Sequence, residues 1–367
     1  MNTRVVLVGA GHAHLHLLKN VTSLIRLGAD VTIVAQDDFW YSGMATAMLA
    51  GLVSPHEDHV DIARLVAGTG AVLCRGTMIG LDKDTREVLL DDGKRLAFDL
   101  LSLNLGSRPP PLPAQGQVVY SVKPVRSLVE LRRRIEQAWQ SRINGVLRVA
   151  IVGGGVTGVE VAANLRALAD LHRQQMQICI YNRSEPLKQL PHGAAAALLR
   201  HLRRSGIEVR WPVSITMAGA SSVHFDDGTS DDCDVVINAT GLVPPDLTRR
   251  LGLPTCGDGA LVVDEYLRSA GDASIFAAGD CAALGGFSLP RVGVYAVRQA
   301  PVLLANLCAT LSDTPLTEFV PQRRFLSIIG LGHTSALMQR GPLWFKGPPA
   351  LWLKRWIDHR FVEDHRT

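Results

Sequence analysis

The chain of 367 residues lacks the cysteine patterns that mark metal sites and disulfide frameworks. Its six cysteines are scattered, at positions 74, 179, 233, 256, 281 and 308. None of them forms a Cys-x-x-Cys pair, so the sequence predicts no zinc site, no dithiol pair and no set of structural disulfides. Unpaired cysteines fit a reducing compartment, and we predict a cytoplasmic protein.

Long apolar runs and a strong net charge are missing as well. The sequence has no run of 18 apolar residues and no basic start followed by an apolar stretch, so we expect neither a membrane span nor a signal peptide. The net charge is only +4. Basic residues concentrate in ELRRRIEQ and LLRHLRRSG, which are typical of solvated helix faces. Nucleic-acid binding is therefore not predicted.

A glycine motif stands near the start of the chain, in RVVLVGAGHAHLH at residues 4–16. A Val- and Leu-rich strand runs into Gly9 and Gly11, which suit a tight turn that approaches a pyrophosphate at a helix N-terminus. His14 occupies the place of the third glycine of this motif, which normally lets the helix pack closely on the strand. A single match of this kind is weak evidence for a nucleotide site.

A second glycine motif is complete, in RVAIVGGGVTGVEVAA at residues 148–163, with Gly153, Gly155 and Gly158 at the full spacing. Each motif is followed at the expected distance by another β-branched run, GADVTIVAQ or MQICIYNR. Two such units predict an α/β protein with two dinucleotide-binding domains of Rossmann-like fold. A parallel-sheet protein without a nucleotide is the alternative that the two motifs leave open.

The acidic residue that usually holds the ribose hydroxyls is absent from both units. Ala35 and Gln36 stand at the tip of the second strand in the first unit, and Asn182 and Arg183 stand there in the second. Asn182 and Arg183 could instead accept a 2′-phosphate, so the sequence does not choose between NAD and NADP.

Further stretches of the chain resemble the pyridine nucleotide-disulfide oxidoreductase superfamily, whose members carry two dinucleotide-binding domains. The resemblance implies that the N-terminal motif binds FAD and that the internal motif binds NAD(P)H. It implies that Asp280, after Gly279, meets the ribityl hydroxyls of FAD, and that Gly106 and Gly241 lie at the two strand-to-glycine crossings. The stretches that carry it are FDLLSLNLGSRP (98–109), CDVVINATGLVPP (233–245) and SIFAAGDCAAL (274–284).

The segment WYSGMATAMLAG, residues 40–51, contains no cysteine, so the dithiol relay of the disulfide reductases cannot operate there. The chain is more similar to type II NADH dehydrogenases and to the flavoprotein module fused to selenophosphate synthetase, of which GAGHAHLHLLK and YSGM are typical. This similarity implies flavin contacts for Ser42, Gly43 and Met44. Cys281 follows Gly-Asp as a small residue would, and we interpret it as structural.

The histidines of the first motif, at positions 12, 14 and 16, invite a metal interpretation. On a helix His14 points away from the face that the other two share, so the three cannot converge on one ion and we predict no metal site. We expect His12 to contact the FAD pyrophosphate or to form a buried hydrogen bond.

Glu160 is the predicted catalytic residue, because GGGVTGVEVA resembles the nicotinamide-site motif of type II NADH dehydrogenases. It could position the carboxamide or pass a proton toward a quinone, with its pKa raised by desolvation. The alternative is a carboxylate that caps the first turn of its own helix. GVYAVRQAPVLLANL (293–307) resembles the flavin-ring helix of the same enzymes, which implies that Val294 and Tyr295 face the flavin.

The domain prediction follows from the order of these motifs. Residues 1–115 form the first part of the FAD-binding domain, residues 116–254 the NAD(P)H-binding domain, and residues 255–315 the second part of the FAD-binding domain. Residues 316–367 form a C-terminal segment. SRPPPLPAQG (107–116) is a proline-rich crossing that suits such a boundary.

The C-terminal segment combines aromatic and basic residues in the way an interfacial segment does. We predict that it meets a membrane surface, at the inner face of the cytoplasmic membrane, and the alternatives are packing on the protein's own core or across a homodimer. The residues concerned are Trp344, Phe345, Trp352 and Trp356, with Lys346, Lys354 and Arg355 among them.

The predicted function is an FAD-dependent oxidoreductase that takes a hydride from NAD(P)H and passes electrons to a quinone-like or other small acceptor, without a redox-active disulfide. One alternative is a flavin-binding redox sensor that docks to another enzyme, by analogy with the selenium-related fusion. A reductase of a protein acceptor is the third hypothesis.

Overall fold

The structure is a computed structural model that describes residues 2–54, 56–116, 118–141 and 145–366. Its first sheet has eight strands. At its centre Thr3–Val8 pairs in parallel with Ala29–Val34 on one side and with Leu100–Leu103 on the other. These strands are nearly continuous runs of apolar residues because both faces of a parallel sheet are buried. The order is Ala282–Leu284, Leu261–Val263, Arg268–Ser269, Asp272–Ala277, Leu100–Leu103, Thr3–Val8, Ala29–Val34 and Val72–Cys74.

The second sheet has five strands, all parallel. Its strands come from one stretch of sequence, between two groups of strands that belong to the first sheet. The predicted domain boundaries at residues 115 and 254 fall between these groups, and the domain limits themselves stay predictions. The order is Val119–Ser121, Val235–Asn238, Leu147–Val152, Met176–Tyr181 and Ile207–Arg210.

Small antiparallel sheets and helices complete the fold. The small sheets are Phe39–Trp40 with His59–Val60; Met78–Asp82, Glu87–Leu90 and Arg95–Ala97; Ile215–Ala218, Ser222–Phe225 and Ser230–Asp232; and Ser327–Gly330, Ala336–Arg340 and Leu343–Gly347. The helices are His12–Lys19, Thr22–Arg26, Ala45–Leu49, Ile62–Val66, Arg126–Ser141, Val156–Leu171, His192–Arg204, Leu247–Arg250, Gly293–Ser312 and Pro348–Arg366, with a 3₁₀ turn at Gly279–Cys281.

Each large sheet has its own hydrophobic core. Leu7, Leu15 and Phe276 lie in the core of the first sheet, and Ile151 and Leu165 lie in the core of the second. The C-terminal segment contributes to both cores, because its strands supply Ile329, Leu331 and Leu337 to the second while its helix supplies Val362 to the first. The segment is thus anchored on both sheets.

The helix Gly293–Ser312 is, among the described residues, the one with the length and apolar composition of a membrane span. It packs against the helix His12–Lys19, and 44% of the apolar stretch is buried inside the protein. A buried core helix can have the same length and apolar composition. Leu303 and Leu307 are buried in the hydrophobic core of the first sheet, so this helix is part of that core.

Candidate functional site

The first glycine turn connects the strand Thr3–Val8 to the helix His12–Lys19. Gly9 has a φ of +91°, and a Cβ there would collide with the backbone carbonyl of Asn104. A Cβ at Gly11 would collide with the Asn104 side chain, whose Nδ2 donates to the backbone oxygen of Ala278 at 2.6 Å. Asn104 therefore fixes how closely the turn approaches the neighbouring strands, and only glycine fits at these two positions.

His14 fills the place of the missing third glycine. Its ring nitrogens lie 2.6 Å from the backbone oxygen of Gly9 and 2.8 Å from the Ser102 hydroxyl. The residue is fully buried, and this burial lowers the pKa of His14 to about 4. A neutral imidazole with partners for both nitrogens thus holds the helix on the strand, so His14 does not disrupt the motif.

The second glycine turn keeps all three glycines and packs more tightly. Gly153 has a φ of +116°, and a Cβ there would lie 2.5 Å from the backbone oxygen of Ala239. A Cβ at Gly158 would collide with the backbone oxygen of Gly153. Gly155 is the N-cap of the helix Val156–Leu171. The nearest atom to a Cβ at Gly155 would be Gln189 Nε2, at 3.9 Å. The helix start beside Gly155 is therefore open to a ligand.

The strand tips that follow the two turns differ in what they offer. Asn182 is used by the protein itself, because its Oδ1 accepts from Gly154 N at 2.8 Å and its Nδ2 donates to Ser184 O at 2.7 Å. Arg183 is exposed beside it. In the first unit Ala35 is buried and Gln36 is exposed. Arg183 and Gln36 are thus the side chains at the tips that face solvent.

Asp280 forms an ion pair with Lys123, a residue that is distant from it in the sequence. Its Oδ2 accepts from Lys123 Nζ at 2.6 Å and from the Ser107 hydroxyl at 2.6 Å. Burial alone would raise the pKa of Asp280, but the charge and hydrogen bond of Lys123, with that of Ser107, lower it below the usual range. Lys123 follows a strand of the second sheet, so this pair links the second sheet to the predicted FAD site.

His12 and the start of the helix Gly293–Ser312 lie side by side. A Cβ at Gly293 would lie 3.3 Å from His12 Nε2, and the same nitrogen is 3.4 Å from the Ser42 hydroxyl. Burial, and then the charge of Lys123, lower the pKa of His12 to about 4. Val294 is half-buried, whereas Tyr295 is buried and its hydroxyl donates to Gln322 O at 3.2 Å. The Tyr295 ring thus points toward the C-terminal segment.

The other predicted cofactor residues lie around these turns. Gly43 offers its backbone oxygen to Lys354 Nζ at 2.5 Å, and the Met44 side chain is packed in the first core. Within the described part of the chain, positions for a Cβ at Gly106 and Gly241 have no atom within 4 Å. Gly106 has a φ of +70°, so both the conformation and the open space favour glycine there.

The residues of the first turn fit a dinucleotide. Gly11, at the N-cap, has no side chain to cap the helix, and Asn104 Oδ1 accepts from His14 N at 3.4 Å, so the N–H groups that precede His14 can bind a pyrophosphate. The Asp280 carboxylate accepts hydrogen bonds, as ribityl hydroxyls require, and the Lys123 ammonium beside it donates them. Together the turn, the open space at Gly106 and this pair form a cradle that FAD can occupy.

Glu160 reaches away from its own helix. Its Oε1 accepts from Gly330 N at 2.8 Å, in the hairpin of the C-terminal segment, so the self-capping alternative is not the contact observed. Burial raises the pKa of Glu160, while Lys354, the Gly330 amide and Thr46 oppose that rise. The carboxyl group thus holds its proton to a higher pH than an ordinary glutamate does.

Lys354 corrects one sequence interpretation. The sequence places it among interfacial cations, but it is buried and its Nζ donates to Asp358 Oδ2 at 2.8 Å. The reason is its helical position, since residue 354 faces the protein while Trp352 and Trp356 face outward. Lys354 lines a mostly apolar cleft together with Met44, Thr46, Ala47, Leu52, Val53, Asn164, Gly330, Gly332, Leu351, Arg355, Asp358 and His359.

The aromatic side chains of the C-terminal segment are exposed. Trp352 is 67% exposed and Trp356 50% exposed, and the neighbouring hairpin leaves Leu343 77% exposed. Packing on the protein's own core is therefore excluded for the two helical tryptophans. The membrane surface and the homodimer stay as predictions for this exposed patch, whose members are Leu343, Trp344, Phe345, Trp352 and Trp356.

Sequence reasoning missed Asn104 and Lys123 as candidate site residues and assigned Lys354 to the interfacial segment instead. Asn104 could have been found as a polar residue that ends the buried strand Leu100–Leu103. Lys123 and Lys354 carry no local signal, because each acquires its partner only when distant elements pack together.

Known proteins are similar in sequence to most of this chain. Residues 3–300 match the sequence profile of a family described as pyridine nucleotide-disulphide oxidoreductase. Putidaredoxin reductase from Pseudomonas putida is 28% identical over 298 residues, covering 77% of this chain and 67% of its own. Demethylphylloquinone reductase from Synechocystis is 26% identical over 373 aligned positions, covering 96% of this chain and 91% of its own.

A solved structure shares the fold across the whole chain. NDH2 from Plasmodium falciparum, in complex with NADH, superposes with a TM-score of 0.84 and covers 100% of this chain and 98% of its own. Its sequence identity is 15%, so the likeness shows the fold alone. The predicted α/β fold with two dinucleotide-binding domains is confirmed.

Proposed function

The chain belongs to the pyridine nucleotide-disulphide oxidoreductase family, and we propose that within it this protein passes electrons from NAD(P)H to a quinone-like small acceptor. It is an NAD(P)H-dependent flavoprotein oxidoreductase whose cofactors are FAD and NAD(P)H. The observation that carries the choice of acceptor is the buried Glu160–Gly330–Lys354 arrangement beside an apolar cleft.

The two glycine turns divide the cofactors between them in this proposal. The first turn, with Asp280 and Lys123, holds FAD, and the second turn, with its open helix start at Gly155, holds NAD(P)H. FAD, when bound, supplies the two-electron chemistry that the side chains lack. The chain itself orients the two cofactors and keeps water from the buried carboxylate and ammonium groups of the cleft.

Glu160 and Lys354 are proposed as the groups that manage protons at the acceptor. A quinone needs a proton at each oxygen as it is reduced, and a carboxyl group whose pKa is raised by burial holds its proton to a higher pH than an ordinary glutamate does. The Lys354 ammonium is a second donor, and the apolar side chains of the cleft suit a quinone ring.

A thiol relay plays no part in the proposed mechanism. None of the six cysteines, all of which lie in the described part of the chain, forms a disulfide, and the thiol of Cys281, nearest to Asp280 in sequence, is fully buried. This burial raises the pKa of Cys281 to about 11, so at neutral pH it is an unreactive thiol.

The exposed aromatic patch supports a lipid-soluble acceptor. Trp352 and Trp356 lie one helical turn apart on the exposed face of Pro348–Arg366, an arrangement suited to the headgroup region of a bilayer. Replacing both by Ser should reduce co-sedimentation with anionic liposomes and turnover of a long-chain quinone. Turnover of a water-soluble quinone and the melting temperature should stay nearly unchanged.

Phe287→Ser is the matched control, because this aromatic is 54% exposed but lies outside the C-terminal segment. It should leave liposome binding intact. A double tryptophan variant that keeps liposome binding but dissociates a dimer would assign the patch to the homodimer instead.

A protein acceptor is the second candidate, because a relative of this chain is named putidaredoxin reductase. Comparing kcat/KM for a short-chain quinone with kcat/KM for putidaredoxin tests which kind of electron acceptor the protein prefers. NADH and NADPH are used in turn as the electron donor. The proposal expects the quinone to be preferred. Preference for putidaredoxin would replace it, and slow turnover with both would favour the redox-sensor hypothesis.

A further inference from the structure

A group of buried ionisable side chains lies where the helix Pro348–Arg366 meets the loop after Phe39–Trp40. We call Tyr41, Asp58, Glu160, Lys354 and Asp358 the buried cluster. Lys354 donates to Asp358 Oδ2, and the Tyr41 hydroxyl donates to Asp358 Oδ1 at 3.2 Å. The side chains of Lys354 and Asp358 are only 10% and 11% exposed, so this pair is shielded from water.

Asp58 differs from the other acidic members of the cluster. It is fully buried, and in the described part of the chain neither of its carboxyl oxygens has a hydrogen-bond partner. Its backbone is held in place, because Tyr41 N donates to Asp58 O at 3.0 Å. An ionised carboxylate without a donor in such a position would be very costly, and a neutral carboxyl group costs far less.

The charges of the cluster lead to the same conclusion. Asp58, Glu160 and Asp358 are three carboxyl groups, whereas Lys354 is the single ammonium group among the cluster's members. Glu160 accepts from the Gly330 amide, and Asp358 accepts from Lys354 and Tyr41. Asp58 is the carboxyl group without such donors, so it is the one that retains a proton.

The charged groups that face Asp58 come mainly from the C-terminal helix. They are Asp358, Lys354 and Arg366, and Tyr41 faces Asp58 from the loop. Burial, followed by the negative charge of Asp358, raises the pKa of Asp58 to about 8. The Tyr41 backbone amide, and then Lys354 and Arg366, oppose this rise but do not cancel it.

We infer that Asp58 is held as the neutral acid and thereby leaves the Lys354 ammonium paired with Asp358, so that Asp58 acts through that pair and not on the acceptor. The inference rests on the proposed function, in which NAD(P)H, one proton and a quinone give NAD(P)⁺ and a quinol. The nicotinamide loses two electrons, and the quinone gains two electrons and two protons. The hydride accounts for one of those protons, and the other comes from the cluster.

The transfer begins when Lys354 or Glu160 gives its proton to the acceptor oxygen. Asp58 takes no part in this transfer, because among the described residues neither of its carboxyl oxygens has a hydrogen-bond partner that could pass a proton on. Asp58 is in this account a positioning residue for Lys354, and its replacement should change the pH dependence of turnover more than the hydride transfer.

The proton on Asp58 can be tested without any acceptor. The folded protein keeps it up to about pH 8, whereas the unfolded chain releases it near the ordinary value of 3.8, so this group costs stability as the pH rises through that window. Asp58→Asn keeps the shape and the neutral charge. The melting temperature of this variant should therefore fall less than that of the wild type between about pH 6 and pH 8.

Asp364→Asn is the matched control, because this carboxylate lies on the helix Pro348–Arg366 that supplies Lys354 and Asp358 but is 62% exposed. Its melting temperature should follow the wild type across the pH range. Parallel pH profiles for the wild type and Asp58→Asn would overturn the inference.

A second arm measures turnover of a water-soluble quinone against pH. Asp58→Asn should leave kcat near neutral pH nearly unchanged but remove the change in turnover that the wild type undergoes as the pH rises through about 8, while the rate at which NADH bleaches the flavin stays the same. An unchanged pH profile would refute the positioning role and leave the proposed function standing. If the wild type reduces no quinone, the proposed function fails, and the melting profiles still decide whether Asp58 holds a proton.

Infrared spectroscopy covers the case in which Asp58→Asn does not fold. In a Glu160→Gln background, a protonated carboxyl band should be present at neutral pH and disappear as the pH rises through about 8. Adding Asp358→Asn, which removes the neighbouring negative charge, should shift this loss to lower pH. Absence of a protonated carboxyl band at neutral pH would overturn the inference.

Discussion

In the first glycine turn a Cβ at Gly9 would meet the backbone carbonyl of Asn104, and in the second a Cβ at Gly153 would meet that of Ala239. Both glycines have positive φ values, and both follow a strand that pairs in parallel with a neighbour on each side. The turns differ at the third motif position, where the second has Gly158 in contact with its own loop and the first has His14.

The difference shows two ways to seat a helix on a strand. At Gly158 the helix comes so close that no side chain fits. At His14 the gap is filled by an imidazole that uses both ring nitrogens in hydrogen bonds. A missing glycine in such a motif is therefore not a sign of lost binding when its replacement has buried partners for its polar atoms.

The largest effect is expected from Asp280→Ala, which removes the carboxylate of the predicted FAD cradle. The change removes the acceptor for ribityl hydroxyls and leaves Lys123 half-buried without its ion pair, at roughly 1 to 3 kcal/mol for each lost partner. The purified variant should contain little FAD, measured by absorbance after denaturation. NADH binding to the second turn should persist in calorimetry, and a variant with full FAD content would contradict the assignment.

Gly155→Val should have the next largest effect, on the second turn. Gly155 has a φ of −76° and open space beside it, so valine fits the folded protein but occupies the space of the pyrophosphate. FAD content should stay normal while the KM for NAD(P)H rises at least about tenfold, or ~1.4 kcal/mol. Loss of FAD from a folded variant would mean that the two turns are assigned the wrong way round.

His14→Gly restores the missing glycine and should nevertheless destabilise the protein. It leaves the Ser102 hydroxyl and the Gly9 carbonyl without their partner and opens a cavity, for a loss of about 3 kcal/mol in the free energy of unfolding. Urea denaturation measures this loss. A variant as stable as the wild type would show that the imidazole is a passive filler.

The pH dependence of the same residue gives the smallest effect. The pKa of His14 is lowered to about 4 from its ordinary value of 6.5, so the unfolded chain binds a proton between these values that the folded protein refuses. Stability should therefore fall as the pH drops through this window, and His14→Gln should remove on the order of 1 to 2 kcal/mol of that fall between about pH 7 and pH 5. If the stability of the wild type and that of His14→Gln fall equally steeply with decreasing pH, His14 is protonated in the folded protein.

The two turns were predictable because their signals are local. A Val- and Leu-rich strand, glycines at fixed spacing and a following helix lie within about twenty residues, and backbone sterics decide them. The partners of Asp280 and Glu160 were not predictable in this way. Lys123 and Lys354 meet them only through packing between distant parts of the chain, and Lys354 looked like a surface cation until its helical face was known.

The central claim is that the first turn holds FAD and the second holds NAD(P)H, so that a hydride passes from the nicotinamide to the flavin. Glu160 and Lys354 then supply protons to the acceptor. Anaerobic stopped-flow mixing tests it, with NAD(P)H added first and a short-chain quinone second. The flavin absorbance should bleach and then recover in the wild type, whereas Glu160→Gln should bleach at nearly the same rate and recover at least about tenfold more slowly. Absence of bleaching with either nicotinamide, or a Glu160→Gln variant that bleaches slowly and recovers normally, would contradict the account.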